Sequence, residues 1–171
     1  MTKKEIELFQ NGLDEYPIST VIIENLFIFL WIAAGTFLCW VFVPVIGWIY
    51  LGFGLMMVLF VMRILVCKNC YYHGKRCHTG WGKLSAIYCE QGELNHFCCG
   101  IGGAIVPLFY GSMALLPLIL AVLSMVKAFS LITMFTTMVF IFIVVTGSFT
   151  FRKKACVVCK MRIMCPGYAE K

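Results

Sequence analysis

Charge is what this chain has least of. Only 13% of its 171 residues are Asp, Glu, Lys or Arg, against about a quarter in an average soluble domain. With 61% hydrophobic residues and a mean hydropathy of +0.92, a soluble core of this size could not use so much apolar surface. A water-solvated globule is excluded, and lipid must be part of the solvent. A Gly-rich phosphate loop, a Ser/His/Asp constellation and a close carboxylate pair are also missing. Hydrolase and transferase chemistry therefore has no signature here. The polar start sets Lys3 and Lys4 against Glu5, Glu7, Asp14 and Glu15, and leads into no short apolar core with a small-residue cleavage site. The first apolar run is expected to stay in the mature protein.

What is present is a set of four apolar runs between polar, cysteine-bearing segments. Residues 1–20 form an N-terminal segment in which Tyr16-Pro17 is expected to break the chain and Ser19 or Thr20 to cap a helix. The runs 21–42 and 48–66 are separated only by 43–47, where Pro44 and Gly47 mark a turn. Trp40, Trp48 and Tyr50 lie around that turn, where interfacial aromatics belong. At about 20 residues per crossing, 21–66 reads as a first transmembrane hairpin. Residues 67–100 form a Cys-rich loop. Within it Trp81, Leu84 and Tyr88 share one side of a weak helical pattern, which suits a short helix lying on the membrane surface. Residues 101–151 read as a second hairpin, with Pro107 and Pro117 tolerated inside its first span at the cost of a kink. A basic, Cys-rich tail occupies 152–171. The expected fold is an all-α integral membrane protein: four transmembrane helices, as two hairpins, under a Cys-rich cytoplasmic cap.

Charge placement gives the orientation. Of the fourteen Lys and Arg residues, all but Lys127 lie in 1–20, 63–99 or 152–171, and the 43–47 turn has none. Four spans put those three segments on one side, and the positive-inside rule makes that side cytoplasmic. Both termini are then cytoplasmic, in a plasma or inner membrane. Topology and contact with anionic lipid account for the basic groups, so nucleic-acid binding is not implied. Glu24, about one turn into the first run, is expected to snorkel or to pair with Arg63 or Arg152. An intramembrane carboxylate is also a candidate proton relay.

Ten cysteines are present, and nine fall on the cytoplasmic side. The tenth, Cys39, lies in the first span as a small apolar filler. Cytosolic thiols are held reduced, so metal or redox chemistry is expected in place of a disulfide framework. Two segments carry it: Cys67-x2-Cys70-x6-Cys77 and Cys156-x2-Cys159-x5-Cys165-Pro166. Arg63, Cys67 and Cys70 recur as Arg152, Cys156 and Cys159, each 89 residues later. The simplest account is two copies of one unit in the same orientation.

Each copy supplies three thiolates, whereas a tetrahedral zinc site or a cubane cluster takes four ligands. For the first copy the fourth could be His78, Cys89, Cys98 or Cys99. The second must borrow from the central loop, from water or substrate, or from another chain. That shortage predicts that the two segments meet, with Cys98-Cys99 as the completing donors. His73 and His96 are read as hydrogen-bonding loop residues.

Nearly all-cysteine ligation, with Lys and Arg among the ligands, favours an iron–sulfur cluster. Cys165-Pro166 resembles the Cys-Pro that ends bacterial ferredoxin motifs. Zinc is the alternative, because Cys-x2-Cys is also half of a zinc knuckle. Cys67, Cys98-Cys99-Gly100 and Cys156-x2-Cys159 together resemble the cysteine-rich CCG modules of heterodisulfide-reductase-type proteins. That resemblance implies redox chemistry on iron–sulfur clusters, although here two spans separate Gly100 from Cys156.

The expected function is electron transfer between a cytoplasmic donor and a membrane partner or quinone. The chain would act within a larger complex or a homo-oligomer, as an oxidoreductase subunit if it belongs to an enzyme. No catalytic residue is assigned. Two other readings remain: a zinc-stabilised membrane anchor and interaction protein, or a soft-metal-ion transporter or sensor using Cys98-Cys99 and Cys39.

Overall fold

The structure, a computed structural model, describes residues 8–94, 96–97, 101–163 and 165. Four helices in it are long and apolar enough to cross a membrane. They are α1 (Ile18–Phe42), α2 (Pro44–Asn69), α4 (Ile101–Lys127) and α5 (Leu131–Val157), with the short α3 (Trp81–Tyr88) between the second and third. Large apolar side chains cover their outer faces. Phe29, Trp48, Val126 and Phe142 are each more than 60% exposed, a pattern that water does not tolerate and lipid does.

The turn is tighter than the sequence suggested. Pro44 is not part of a loop but the first residue of α2, leaving Val43 alone, extended, between the helices. The first helical position needs no N–H donor and suits the fixed φ of proline. At the other end of α1 the helix starts at Ile18 behind Pro17, which supplies no side-chain cap; Ser19 and Thr20 are already helical.

Small residues and rings set the packing. Gly47 of α2 faces Trp40, Gly35 of α1 faces the Tyr50 ring, and Gly54 faces Ile32. These pairs make α1 and α2 antiparallel. A Cβ at Gly35 would lie 2.7 Å from Tyr50 Cζ, so glycine is required for the ring to sit there. The Tyr50 hydroxyl then donates to the Met113 carbonyl at 2.8 Å, joining α2 to α4.

Leu38, Ala121 and Phe140 form a fully buried cluster that unites α1, α4 and α5. Phe27 packs on Phe151 with ring centres 4.7 Å apart, and Trp31 on Tyr110 at 5.7 Å. By these pairs α1 runs antiparallel to α5 and parallel to α4. The start of α1, the end of α2, the start of α4 and the end of α5 therefore share one end of the bundle. Every described cysteine except Cys39 belongs to that end.

Both cysteine-bearing helices carry a π-helical segment just before their arginine: Met57–Val61 before Arg63, and Thr146–Phe151 before Arg152. The two segments begin 89 residues apart. Such widened turns occur often at functional sites. Both helices also run further than the apolar runs did. Cys67 lies in a 3₁₀ turn that closes α2, and Cys156 lies in the last turns of α5.

Candidate functional site

The site is built from two turns of one design. After Cys67 the Cys70 amide donates to the Cys67 carbonyl at 3.3 Å, and the His73 amide to the Cys70 carbonyl at 3.0 Å. After Cys156 the Cys159 amide donates to Cys156 at 3.2 Å, and the Arg162 amide to Cys159 at 3.1 Å. In each turn the second sulfur accepts a backbone N–H from two residues on: Tyr72 to Cys70, and Met161 to Cys159. Hydrogen bonds of this kind stabilise a thiolate and tune whatever it ligates.

The two turns meet. Tyr72, 2% exposed, holds them together. Its hydroxyl donates to the Leu13 carbonyl at 2.7 Å and accepts the Lys160 N–H at 3.1 Å. The N-terminal segment runs between the turns. The Leu13 amide donates to the Val158 carbonyl at 2.9 Å, the Phe9 amide to Lys160 at 3.0 Å, and the Tyr16 amide to Arg76 at 2.9 Å. The Tyr16 hydroxyl reaches the Ala155 carbonyl at 2.7 Å. Tyr16, Tyr72, Ala155 and Met161 form a buried cluster against which Cys70, Cys77 and Cys159 pack. Lys160 and Asp14 add an ion pair, and Arg76 pairs with Glu15 at 2.8 Å.

Loop 77–81 is fastened to α1 by Asn25. Its side-chain amide donates to Val21 and Thr79 carbonyls at 2.7 and 2.8 Å, and its oxygen accepts the Trp81 indole N–H at 3.2 Å. Trp81 is thus buried, not part of an outward face with Leu84 and Tyr88. The exposed side of α3 is Leu84, Ile87 and Tyr88. Ser85, fully buried, donates to the Arg63 carbonyl at 3.0 Å and pins α3 to the end of α2. Gly82 lies against the Tyr72 carbonyl, so closely that only glycine fits.

The thiols lie in one electrostatic neighbourhood. Cys67 is within reach of Cys77, Cys70, Arg63 and Cys89; Cys156 is within reach of Cys165 and Cys159 and is hydrogen-bonded by Arg152. Cys70 links the two groups. Burial pushes its thiol up to about 12, the Tyr72 N–H offsets part of that rise, and Cys77, Cys159 and Cys165 add to it. Burial likewise raises Cys159, against the Met161 N–H. The hydroxyls of Tyr16 and Tyr72 stand beside the Cys159 sulfur. These two thiols are neutral at neutral pH, so a metal ion that takes them must displace their protons.

The other predicted ligands are placed as follows. Cys77 Sγ is 3.3 Å from the Thr79 hydroxyl. Cys89 Sγ turns back on its own helix, donating to the Ser85 carbonyl at 3.3 Å. His78 stacks edge-on against Tyr16 at 6.0 Å. Burial, with the Arg152 charge, lowers His78 to about 4, which keeps the imidazole neutral. Cys98, Cys99 and Pro166 lie outside the described residues. Among the described residues no three His, Cys, Asp or Glu side chains stand together as a metal-holding group.

One buried charge beside the first turn bears on whether these thiols could hold a metal. Arg63 is 7% exposed, its Nε has no hydrogen-bond partner, and no carboxylate among the described residues pairs with it. A buried guanidinium requires an anionic partner. Cys67 is the potential anion in its reach. A thiolate at Cys67 would offset that charge, although the described side chains form no complete metal-holding group.

Sequence reasoning missed the docking of segment 8–17 between the two turns. Its one available signal was the set Tyr16, Tyr71 and Tyr72, aromatic bodies with polar tips near the cysteines. Comparison with protein-family models, curated proteins and solved structures gives no match for this chain.

Proposed function

We propose that this protein is a membrane-embedded iron–sulfur electron carrier. Its centre would form between the 67–77 and 156–165 turns, at the cytoplasmic end of two duplicated helical hairpins. Cys67, Cys70 and Cys77, with Cys156, Cys159 and Cys165, supply the thiolates; Cys98 and Cys99 complete the set. The observation that carries this reading is Arg63, a buried guanidinium with no carboxylate partner among the described residues, beside the first cysteine of its turn. A thiolate-ligated cluster supplies the missing negative charge. The N–H donors at Cys70 and Cys159 act in the same direction, and both features are levers on cluster potential. The redox partner is a membrane protein or quinone.

Neutral His78 beside Cys77 supports a second reading, since neutral imidazole is a zinc ligand. In that case the centre cross-links the two turns as a rigid interaction surface. Anaerobic purification separates the two. Broad absorption near ~400 nm with iron and acid-labile sulfide supports the electron carrier. Colourless protein with stoichiometric zinc overturns it in favour of the structural site.

A further inference from the structure

One ionisable group inside the bundle is used by none of this. Glu24 lies six residues into α1, about 9 Å along the helix from its start at Ile18. It was expected to snorkel or to pair with Arg63 or Arg152. It does neither: it is 8% exposed, its Oε1 accepts no hydrogen bond, and it forms no ion pair among the described residues. The adjoining Asn25 has its amide and its oxygen both bonded. The missing partner is therefore particular to Glu24 and not a looseness of this turn.

The surroundings define what such a carboxyl can hold. On its own helix Phe27 and Trp31 continue the Glu24 face, and the buried Trp31 indole N–H stands beside the Tyr50 hydroxyl. Trp31 stacks on Tyr110 of α4, and Tyr110 lies within electrostatic reach of Glu24. The charged and titratable groups that the packed elements bring to this end are Arg63 and Cys67 from α2, Tyr110 from α4, Arg152 from α5 and His78 from the loop. The nearby cavity lined by Trp31 and Tyr110, which Glu24 does not reach, is about 10 Å³, room for one water at most. A metal ion would need several ligands, and among the described residues no such group stands at Glu24. An unpaired carboxylate in an apolar bundle is costly, and the ion that removes the cost without further ligands is a proton.

We propose that Glu24 is an intramembrane proton-binding site, exchanging with water through the cysteine-bearing end of the bundle, with Tyr110 within its electrostatic reach. The step is COO⁻ + H₃O⁺ ⇌ COOH + H₂O at the Glu24 carboxyl. It requires no metal and stands apart from the electron-transfer reading.

The test is infrared difference spectroscopy on the full chain in lipid nanodiscs, wild type minus Glu24→Gln, titrated from about pH 4 to about pH 9. The expected result is a protonated-carboxyl C=O band that titrates, shifts in D₂O and is absent from Glu24→Gln. Tyr110→Phe, which leaves Glu24 in place, should move that band or its midpoint, and it serves also if Glu24→Gln fails to fold. Spectra without a Glu24 band at any pH would overturn the proposal. So would a band indifferent to pH and D₂O, which marks a sealed structural carboxyl. An unchanged band in Tyr110→Phe would overturn the assignment of Tyr110.

Discussion

Tyr72→Phe removes one oxygen and leaves the ring. The hydroxyl donates to the Leu13 carbonyl and accepts the Lys160 N–H, so it ties the first cysteine turn to both the N-terminal segment and the second turn. Phenylalanine keeps the ring contacts to Tyr16 and Tyr71, at 5.6 and 5.3 Å. What is lost is two hydrogen bonds, each worth about 1 kcal/mol net, so docking weakens by about 2 kcal/mol. That is roughly a thirtyfold rise in the open population of the docked strands. Native-state hydrogen exchange reads it residue by residue. The amides of Phe9, Leu13 and Lys160, all bonded across these segments, should exchange about thirtyfold faster and together. Amides in the middle of α1 and α5 should not change. If Lys160 alone accelerates, or if all three shift less than about threefold, the two turns are not held together through Tyr72.

Three further outcomes follow from the same geometry. Gly82→Ala places a Cβ against the Tyr72 carbonyl and 2.7 Å from that of Lys75. It should destabilise the cysteine end by about 3 kcal/mol or more, seen as lost exchange protection there with the spans still helical. Asp14 is held below the usual carboxylate range, first by its hydrogen bond from Lys160 and then by Tyr71 and the Lys160 charge. Its contribution to docking is therefore present above 3.8 and lost as pH falls through the lower folded value. Protection of Leu13 should drop in that acid window in wild type and be insensitive to it in Asp14→Asn. Arg63→Leu removes the buried positive charge beside Cys67, so metal retention should fall on purification while Arg63→Lys keeps most of it; equal retention in both would sink the charge argument.

The four apolar helices were legible because a bilayer crossing needs a long unbroken apolar run, and hydropathy reports that run directly. The helix ends were not. Arg63 and Arg152 interrupt the hydropathy, yet backbone hydrogen bonding continues past both, so Cys67 and Cys156 close helices instead of opening loops. Pro44 reads as a breaker in sequence because proline ends helices more visibly than it begins them. Ligand counting predicts that the two cysteine segments meet; the turns touch where Tyr72 accepts the Lys160 N–H, while no three metal-ligating side chains among the described residues stand together. The 8–17 segment could not be foreseen: its joints are backbone hydrogen bonds such as Leu13 to Val158, which leave no side-chain pattern. Trp81 shows the limit of periodicity in a short helix: its indole packs in the apolar core and bonds to Asn25 instead of sharing the outer face.

A joint centre requires both turns at once. Metal content of anaerobically purified wild type, Cys70→Ser and Cys159→Ser measures this most directly. A shared centre predicts that either substitution, though made in only one turn, strips nearly all of the iron or zinc that wild type carries. Retention of about half the metal in each variant would mean two independent sites, and a wild type that carries neither metal in stoichiometric amount would contradict the account altogether.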